Sequence, residues 1–163
     1  MKTDLTQAKL CALLHYDPET GRFTWKAKTS IRSVIGAEAG ALQKRGYRSI
    51  GLCGHRYFAH RLAWLYVHGE WPKGEIDHIN GLHADNRIAN LRDVPPQLNK
   101  QNIRKCNRDN KSGFLGVSAN GKRWAAQLDR NGRKVYIGTF DTPEEAHRAY
   151  VAAKRRLHPG STL

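Results

Sequence analysis

Between Asp77 and Asn102 the chain reads Asp77-His78-Ile79-Asn80-Gly81, then Asp85-Asn86-Arg87, then Asn90-Leu91-Arg92, then Asn99 and Asn102. No packed core accepts that density of carboxamides, carboxylates and imidazole, because every buried polar group needs its own partner. The stretch has to fold as short elements around a polar loop. Glu75 to Ile79 is β-like, Asn80 to Ala89 is rich in loop formers, Asn90 to Val94 can pair as a second strand, and Pro95-Pro96 can open a helix through Ile103. The order β, loop, β, α puts His78 on the first strand and Asn99 on the helix.

The flanks divide by pattern. Residues 1 to 70 open with an amphipathic helix, Thr6 to Leu14, in which Leu10, Leu13 and Leu14 share a face. The turn Asp17 to Gly21 leads into a strand, Arg22 to Lys26, and a hairpin follows from Gly46 to Phe58 around Cys53-Gly54. A helix from Ala59 to His68 ends at Gly69. Residues 71 to 103 hold the polar motif, and residues 104 to 112 have the composition of a basic linker that would lie along a phosphate backbone, with Arg104, Lys105 and Arg108 as its expected DNA contacts. Residues 113 to 163 restart a fold: strands at Phe114 to Ala119, Arg123 to Asp129 and Lys134 to Phe140, with turns at Asn120-Gly121 and Asn131-Gly132. A helix runs from about Pro143 to His158, with Ala146, Ala149, Tyr150, Ala153 and Leu157 facing the sheet. The class is α+β.

Charge narrows the function. Lys and Arg number 28 against 14 Asp and Glu, a net charge of +14 distributed along the whole chain. On a Trp- and Tyr-containing chain this points to a nucleic-acid partner, since phosphate neutralisation dominates such affinities. A merely soluble basic protein or one drawn to anionic membranes are the alternatives. No apolar run is long enough to span a bilayer, and the N-terminal Met-Lys-Thr-Asp-Leu-Thr-Gln has no signal-peptide core. Cys11, Cys53 and Cys106 are odd in number and contain no C-x-x-C pair, so a reducing cytoplasm is expected. No obligate protein partner is evident, and a monomer is expected.

The motif has the residues for phosphodiester cleavage, which needs an activated water and charge compensation at the phosphate. An oxygen-rich pair, Asp77 with the Asn99 carboxamide, suits magnesium or manganese better than zinc. His78, with an ordinary pKa of about 6.5, is available as general base, and Asn90 on the next strand can buttress its imidazole. His83 reads as an exposed loop residue or a second imidazole near the phosphate. His60 reads as a structural hydrogen-bonder, and Trp25, Trp64, Trp71 and Trp124 as core. Arg92 is expected at the surface, and Arg87 is open between a surface charge and a phosphate contact.

Four spaced blocks, His60-Arg61-Leu62-Ala63-Trp64, Ile76 to Gly81, Asp85 to Arg92 and Asn99 to Asn102, together resemble the phage and intron-borne HNH homing endonucleases over residues 1 to 105. The resemblance implies a ββα-metal motif with Asp77 and Asn99 as metal ligands, His78 as general base and Asn90 positioning the loop and the base. The third family letter is Asn99 here rather than His, which argues further against zinc. It also implies double-stranded DNA as substrate and, if phage-encoded, the cytoplasm of a bacterial host.

A second resemblance covers residues 112 to 160. Ser112 to Val117, Arg123 to Gln127, Tyr136 to Phe140 and Thr142 to Ala146 are similar to the ethylene-response-factor type DNA-binding domain. It implies a three-stranded antiparallel sheet, backed by one helix, lying in the major groove. Leu115, Ser118 and Asp129 stand where plant members carry arginines, so their base preference does not transfer. Lys122, Arg123, Gln127, Lys134 and Tyr136 are the expected contacts, with Arg130 and Arg133 at the hairpin tip for phosphates. The reading is a metal-dependent endonuclease with an appended DNA reader; the alternative is a non-catalytic DNA-binding regulator using that reader.

Overall fold

Leu10 and Leu14 are fully buried, and the first part of the chain assembles around them. α1, Gln7–Leu13, starts where the Thr6 hydroxyl accepts from the Lys9 backbone N–H at 3.3 Å. It passes directly into β1, Leu14–Asp17, which pairs antiparallel with β2, Arg22–Trp25. The Asp17 carboxylate closes the intervening turn by accepting from the Glu19 backbone N–H (2.9 Å) and the Thr20 hydroxyl (2.7 Å). β3, Ala41–Leu42, β4, Arg48–Leu52, and β5, His55–Phe58, form an antiparallel sheet in that order. Cys53 (φ 52°) and Gly54 (φ 77°) both take left-handed backbone, which a two-residue hairpin loop requires.

α2, Ala59–His68, lays Leu62, Ala63 and Leu65 into the core and stops at Gly69 in left-handed backbone, as the sequence predicts. β6, Glu75–His78, and β7, Leu91–Val94, pair antiparallel with Asp77 opposite Arg92 and His78 opposite Leu91. A 3₁₀ turn, Ile88–Asn90, occupies the start of the expected second strand. β1 and β3 were not expected. Leu14 continues the helical apolar spacing of α1, which hides β1, and β3 is too short to show a period.

This computed structural model describes residues 5–130 and 132–163, and the chain divides into two units, Met1–Val94 and Pro95–Leu163. The first four residues, and Asn131 of the expected second hairpin turn, lie outside the described residues.

The second unit opens with α3, Pro96–Gln101. At the end of segment 104–112 the Asn110 side chain donates to the carbonyls of Phe114 (3.0 Å) and Val117 (3.2 Å) and accepts from the Ser112 backbone N–H (2.8 Å). β8 accordingly begins at Val117 rather than Phe114. β8, Val117–Asn120, β9, Arg123–Arg130, and β10, Arg133–Phe140, make an antiparallel sheet with β9 in the centre. α4, Pro143–Leu157, is capped by the Thr142 hydroxyl, with Glu144 and Glu145 at its positive end and Lys154, Arg155 and Arg156 at its negative end. Ala146, Tyr150 and Ala153 of α4 pack on Val117, Ala126 and Leu128. Both units combine helix and sheet, so the α+β class holds.

Gly116 fixes how closely helix and sheet approach. A Cβ there would sit 2.1 Å from a Tyr150 ring carbon, and its φ of +77° is left-handed. Gly121 is also left-handed but has open space around it. Gly116→Ala should therefore destabilise the second unit by about 2–4 kcal/mol, summing strain and overpacking, and Gly121→Ala by only about 1 kcal/mol. Amide exchange across residues 117–157 measures the difference, and equal effects would disprove the close-approach account.

Candidate functional site

Three consecutive residues of β6, Ile76, Asp77 and His78, are buried, so this short strand holds a carboxylate and an imidazole at adjacent positions on its opposite faces. Asp77 is 6% exposed and is ion-paired to its cross-strand neighbour: Arg92 Nε and Nη2 lie 2.8 and 2.7 Å from its Oδ2. Arg92, expected as a surface charge, is instead half-buried and orients the carboxylate. This residue is one that sequence reasoning missed, and the strand register is the signal that finds it.

His78 is 3% exposed, and its Nε2 lies 3.3 Å from Oδ1 of Asn86, which is itself fully buried. The Asn86 Nδ2 donates to the Ala84 carbonyl at 3.2 Å, which makes Oδ1 the acceptor. With Oδ1 as acceptor, the Nε2-protonated tautomer is the one that makes this hydrogen bond. Burial pushes the His78 pKa down, against the hydrogen bond to Asn86, so the ring is neutral at neutral pH and fit to accept a proton.

Asn86 is the second residue that the sequence did not single out. Its carbonyl accepts from the buried Tyr16 hydroxyl at 2.7 Å, and burial raises the Tyr16 pKa to about 12. Gly21, in the turn between β1 and β2, has a φ of +70°, and a Cβ there would fall 2.4 Å from Arg87 N and 2.5 Å from the Asn86 carbonyl carbon. The first hairpin is pressed onto the backbone of the residue that holds the imidazole.

The contact to the imidazole is made by another residue, while Asn90 holds the loop, one of the two tasks expected of it. Its Oδ1 accepts from the Asn80 backbone N–H (2.9 Å), its Nδ2 donates to the Asp85 carbonyl (2.8 Å), and its own carbonyl accepts from Ile79 N–H (2.9 Å). It ties the two ends of the loop together, while Asn86 meets the imidazole. Asp85 takes hydrogen bonds from Asn80 Nδ2 (2.7 Å) and from Arg87 Nε and Nη2 (2.8 and 2.6 Å). The Arg87 guanidinium holds the Asp85 carboxyl down at about 2. Arg87 thus folds back onto its own loop.

Aromatic rings surround the imidazole. Ring centroids of His60, Tyr47 and His83 lie 5.1, 5.9 and 5.8 Å from that of His78. His83 is stacked on Tyr47 at 4.1 Å and 9°, and its Nδ1 lies 2.9 Å from the Arg45 carbonyl oxygen, so it is held rather than loose. His60 stacks on Phe58, but among the described residues its buried Nδ1 has no hydrogen-bond partner. It is a packing residue rather than the expected hydrogen-bonder. Burial, together with the nearby His78, Arg61 and His83, drives its pKa down to about 3.

In the second unit, Asn99 lies in α3, its backbone N–H donating to the Pro95 carbonyl at 3.2 Å. Lys105 and Arg108 are exposed, while Arg104 donates to the Thr162 carbonyl at 2.7 Å. On the sheet, Ala126 and Leu128 face α4, so Ala125, Gln127 and Asp129 of β9 share the opposite face. Their register partners Lys134, Tyr136 and Thr139 extend that face across β10, with Tyr136 64% exposed. Arg123 is engaged by Asp141 (2.8 Å) and the Thr139 carbonyl (3.3 Å). Lys122, Arg130 and Arg133 are exposed beside the hairpin turns. Tryptophans 25, 64, 71 and 124 all pack on the cores. Among the described residues no cluster of three or more His, Cys, Asp or Glu is arranged for a metal, and no helix is long and apolar enough to cross a membrane.

Residues 57–101 match the family model described as HNH endonuclease. Protein 3.8 of Escherichia phage T7 is 31% identical over 102 residues, 61% of this chain and 83% of that protein. An ethylene-responsive transcription factor of Arabidopsis thaliana is 56% identical over 48 residues, 28% of this chain and only 19% of the transcription factor's length. No solved structure matches significantly.

The His60 environment generates a pH dependence. A folded pKa of about 3 lies below the unfolded value, so the unfolded chain binds the extra proton between the two and stability falls as pH drops from 6.5 toward 3. Roughly 3 kcal/mol should be lost by pH 4 from this group alone. Urea unfolding at pH 7 and pH 4 should show a smaller loss for His60→Phe than for the wild type; equal losses would remove His60 as the cause.

Proposed function

The chain belongs to the HNH endonuclease family, and on that footing we propose that it is a homing-type, metal-dependent endonuclease acting on double-stranded DNA. The observation that carries this reading is the buried His78, its Nε2 3.3 Å from Asn86 Oδ1, adjacent in β6 to the ion-paired Asp77. The His78 imidazole takes a proton from water as the water oxygen bonds to phosphorus. The phosphorus–oxygen bond to the leaving group breaks, and that oxygen is protonated in turn. Such base catalysis contributes roughly 10²- to 10⁴-fold.

Asp77 and Asn99 would hold the cation, and one carboxylate with one carboxamide is a hard oxygen set that fits magnesium or manganese. When bound, the ion compensates charge at the phosphate and the leaving oxygen. Arg92 keeps Asp77 oriented, and Asn90 keeps the intervening loop closed.

A hydrolytic site recognises any phosphodiester, so placement on the duplex is assigned to the second unit. Gln127, Lys134 and Tyr136 on the open sheet face are the candidate base readers, and Lys105, Arg108, Lys122, Arg130 and Arg133 the phosphate contacts. Arg87, Arg104 and Arg123 have internal partners and contribute to DNA only by exchanging them. The enzyme would act as a monomer in the cytoplasm of a bacterial host.

His78→Ala should lower magnesium-dependent plasmid nicking by roughly 10²- to 10⁴-fold while duplex binding persists, and Asn86→Ala should lower it by roughly 10-fold through loss of imidazole orientation. Retained nicking by His78→Ala would sink the base assignment. A wild-type chain that binds duplex and nicks nothing with magnesium or manganese would favour the non-catalytic regulator instead.

A further inference from the structure

A cleft of about 530 Å³ opens in the first unit between the turn Gln43–Tyr47 and strand β5, within the usual size of a small-ligand site. Tyr47, Tyr57 and Phe58 wall it, and Lys44, Arg45 and Arg56 stand around them. No carboxylate lines it among the described residues. Phe58 is 45% exposed although it is a large apolar side chain, and it rests against Tyr47 with ring centroids 5.5 Å apart. The turn is stiff: Gln43 and Tyr47 are joined by a 2.7 Å backbone hydrogen bond, and the Gln43 side chain donates to the Ser49 hydroxyl at 2.9 Å.

Aromatic walls with an unopposed cationic rim select for a ligand with a flat apolar face attached to an anion. A phosphate alone leaves the rings wet, and an apolar molecule alone leaves three cations without a counter-charge. An unpaired nucleotide satisfies both demands, by stacking and by charge. The position fits the same occupant, because Tyr47, a wall of the cleft, stacks on His83 and lies beside His78.

We propose that this cleft binds an unstacked nucleotide of the DNA strand next to the scissile phosphate, with Phe58 and Tyr47 stacking on the base and Lys44, Arg45 and Arg56 holding the flanking phosphates. The proposal rests on DNA as the substrate and adds a single-strand pocket to a chain whose other DNA-reading surface is a sheet. It predicts a preference for frayed, mismatched or gapped sites, where the cost of unpairing is already met.

The experiment uses the full chain in chelator with oligonucleotides containing 2-aminopurine, single-stranded and as the matching duplex. The wild type should change 2-aminopurine emission on the single strand. Phe58→Ala should weaken single-strand binding roughly 5- to 100-fold and abolish the emission change, while duplex binding is little altered. Phe58→Trp, which restores a stacking face, should retain both signals, and this separates lost stacking from lost folding. Arg56→Ala should weaken single-strand binding and retain the emission change. If Phe58→Ala binds the single strand like the wild type, or if only the arginine variants lose affinity and no variant changes emission, the nucleotide pocket is wrong. A wild type that shows the emission change and never nicks with magnesium leaves the pocket standing and removes the nuclease reading.

Discussion

The contact on which the first unit's chemistry depends is the grip on Asn86. Its side chain meets the imidazole of His78, its carbonyl is held by Tyr16 across 70 residues of sequence, and Gly21 allows the hairpin turn to touch its backbone. A loop of this length between two short strands would otherwise sample many conformations, and the imidazole would sample them with it. Burying the hydroxyl, the carboxamide and the ring together makes each expensive to release, because each would leave a partner unsatisfied. The N-terminal hairpin therefore supports the geometry around His78, which lies far along the chain.

Charge is handled in two ways. Inside the motif two of the three carboxylates have their own arginine, Asp77 with Arg92 at 2.7 Å and Asp85 with Arg87 at 2.6 Å, while Asp93 accepts from the Lys73 and Gly74 backbone N–H groups. The Asp77 pair is buried and fixes orientation; the Arg87 pair is half exposed and mainly shapes the loop. These local neutralisations leave the net charge of +14 to be expressed elsewhere, at the rim of the first-unit cleft, along residues 105–111 and at the hairpin turns of the second sheet. In the function proposed here, attraction to a polyanion and the chemistry at its phosphate would be served by different residues.

Much of this was legible in the sequence for definite physical reasons. α2 was readable to its limits because its apolar spacing ends at a glycine, and α4 because Thr142-Pro143-Glu144-Glu145 is a strong start signal. Asp77, His78 and Asn90 stood out because polar residues at strand positions need a reason. What was hidden depends on pairing and contact rather than order. Arg92 acquires its role only from the β6/β7 register, and Asn86 looked like one loop carboxamide among several. β1 was masked because its first residue continues a helical face. His60 drew a polar expectation from its residue type, and its aromatic neighbours could not be read from its place in α2. Lys154, 1% exposed and with a pKa lowered to about 8 by burial and by Arg104, lies inside a face that the pattern reads as apolar.

That buried lysine belongs to a late set of fastenings. Its Nζ donates to the Ile103 carbonyl at 2.5 Å, Gly160 N–H donates to the Gln101 side chain at 3.0 Å with its Cα too close to the Leu98 carbonyl to carry a side chain, and Thr162 donates to Asn102 at 2.5 Å. Every one of these anchors for residues 98–104 comes from residues translated some fifty positions later. On the ribosome, β6, β7 and the His78 loop emerge after their partners Tyr16 and Gly21, whereas these three fastenings form only once residues 154–162 have cleared the exit tunnel. The order of synthesis thus makes this C-terminal clasp on residues 101–103 one of the last contacts a basic chain completes.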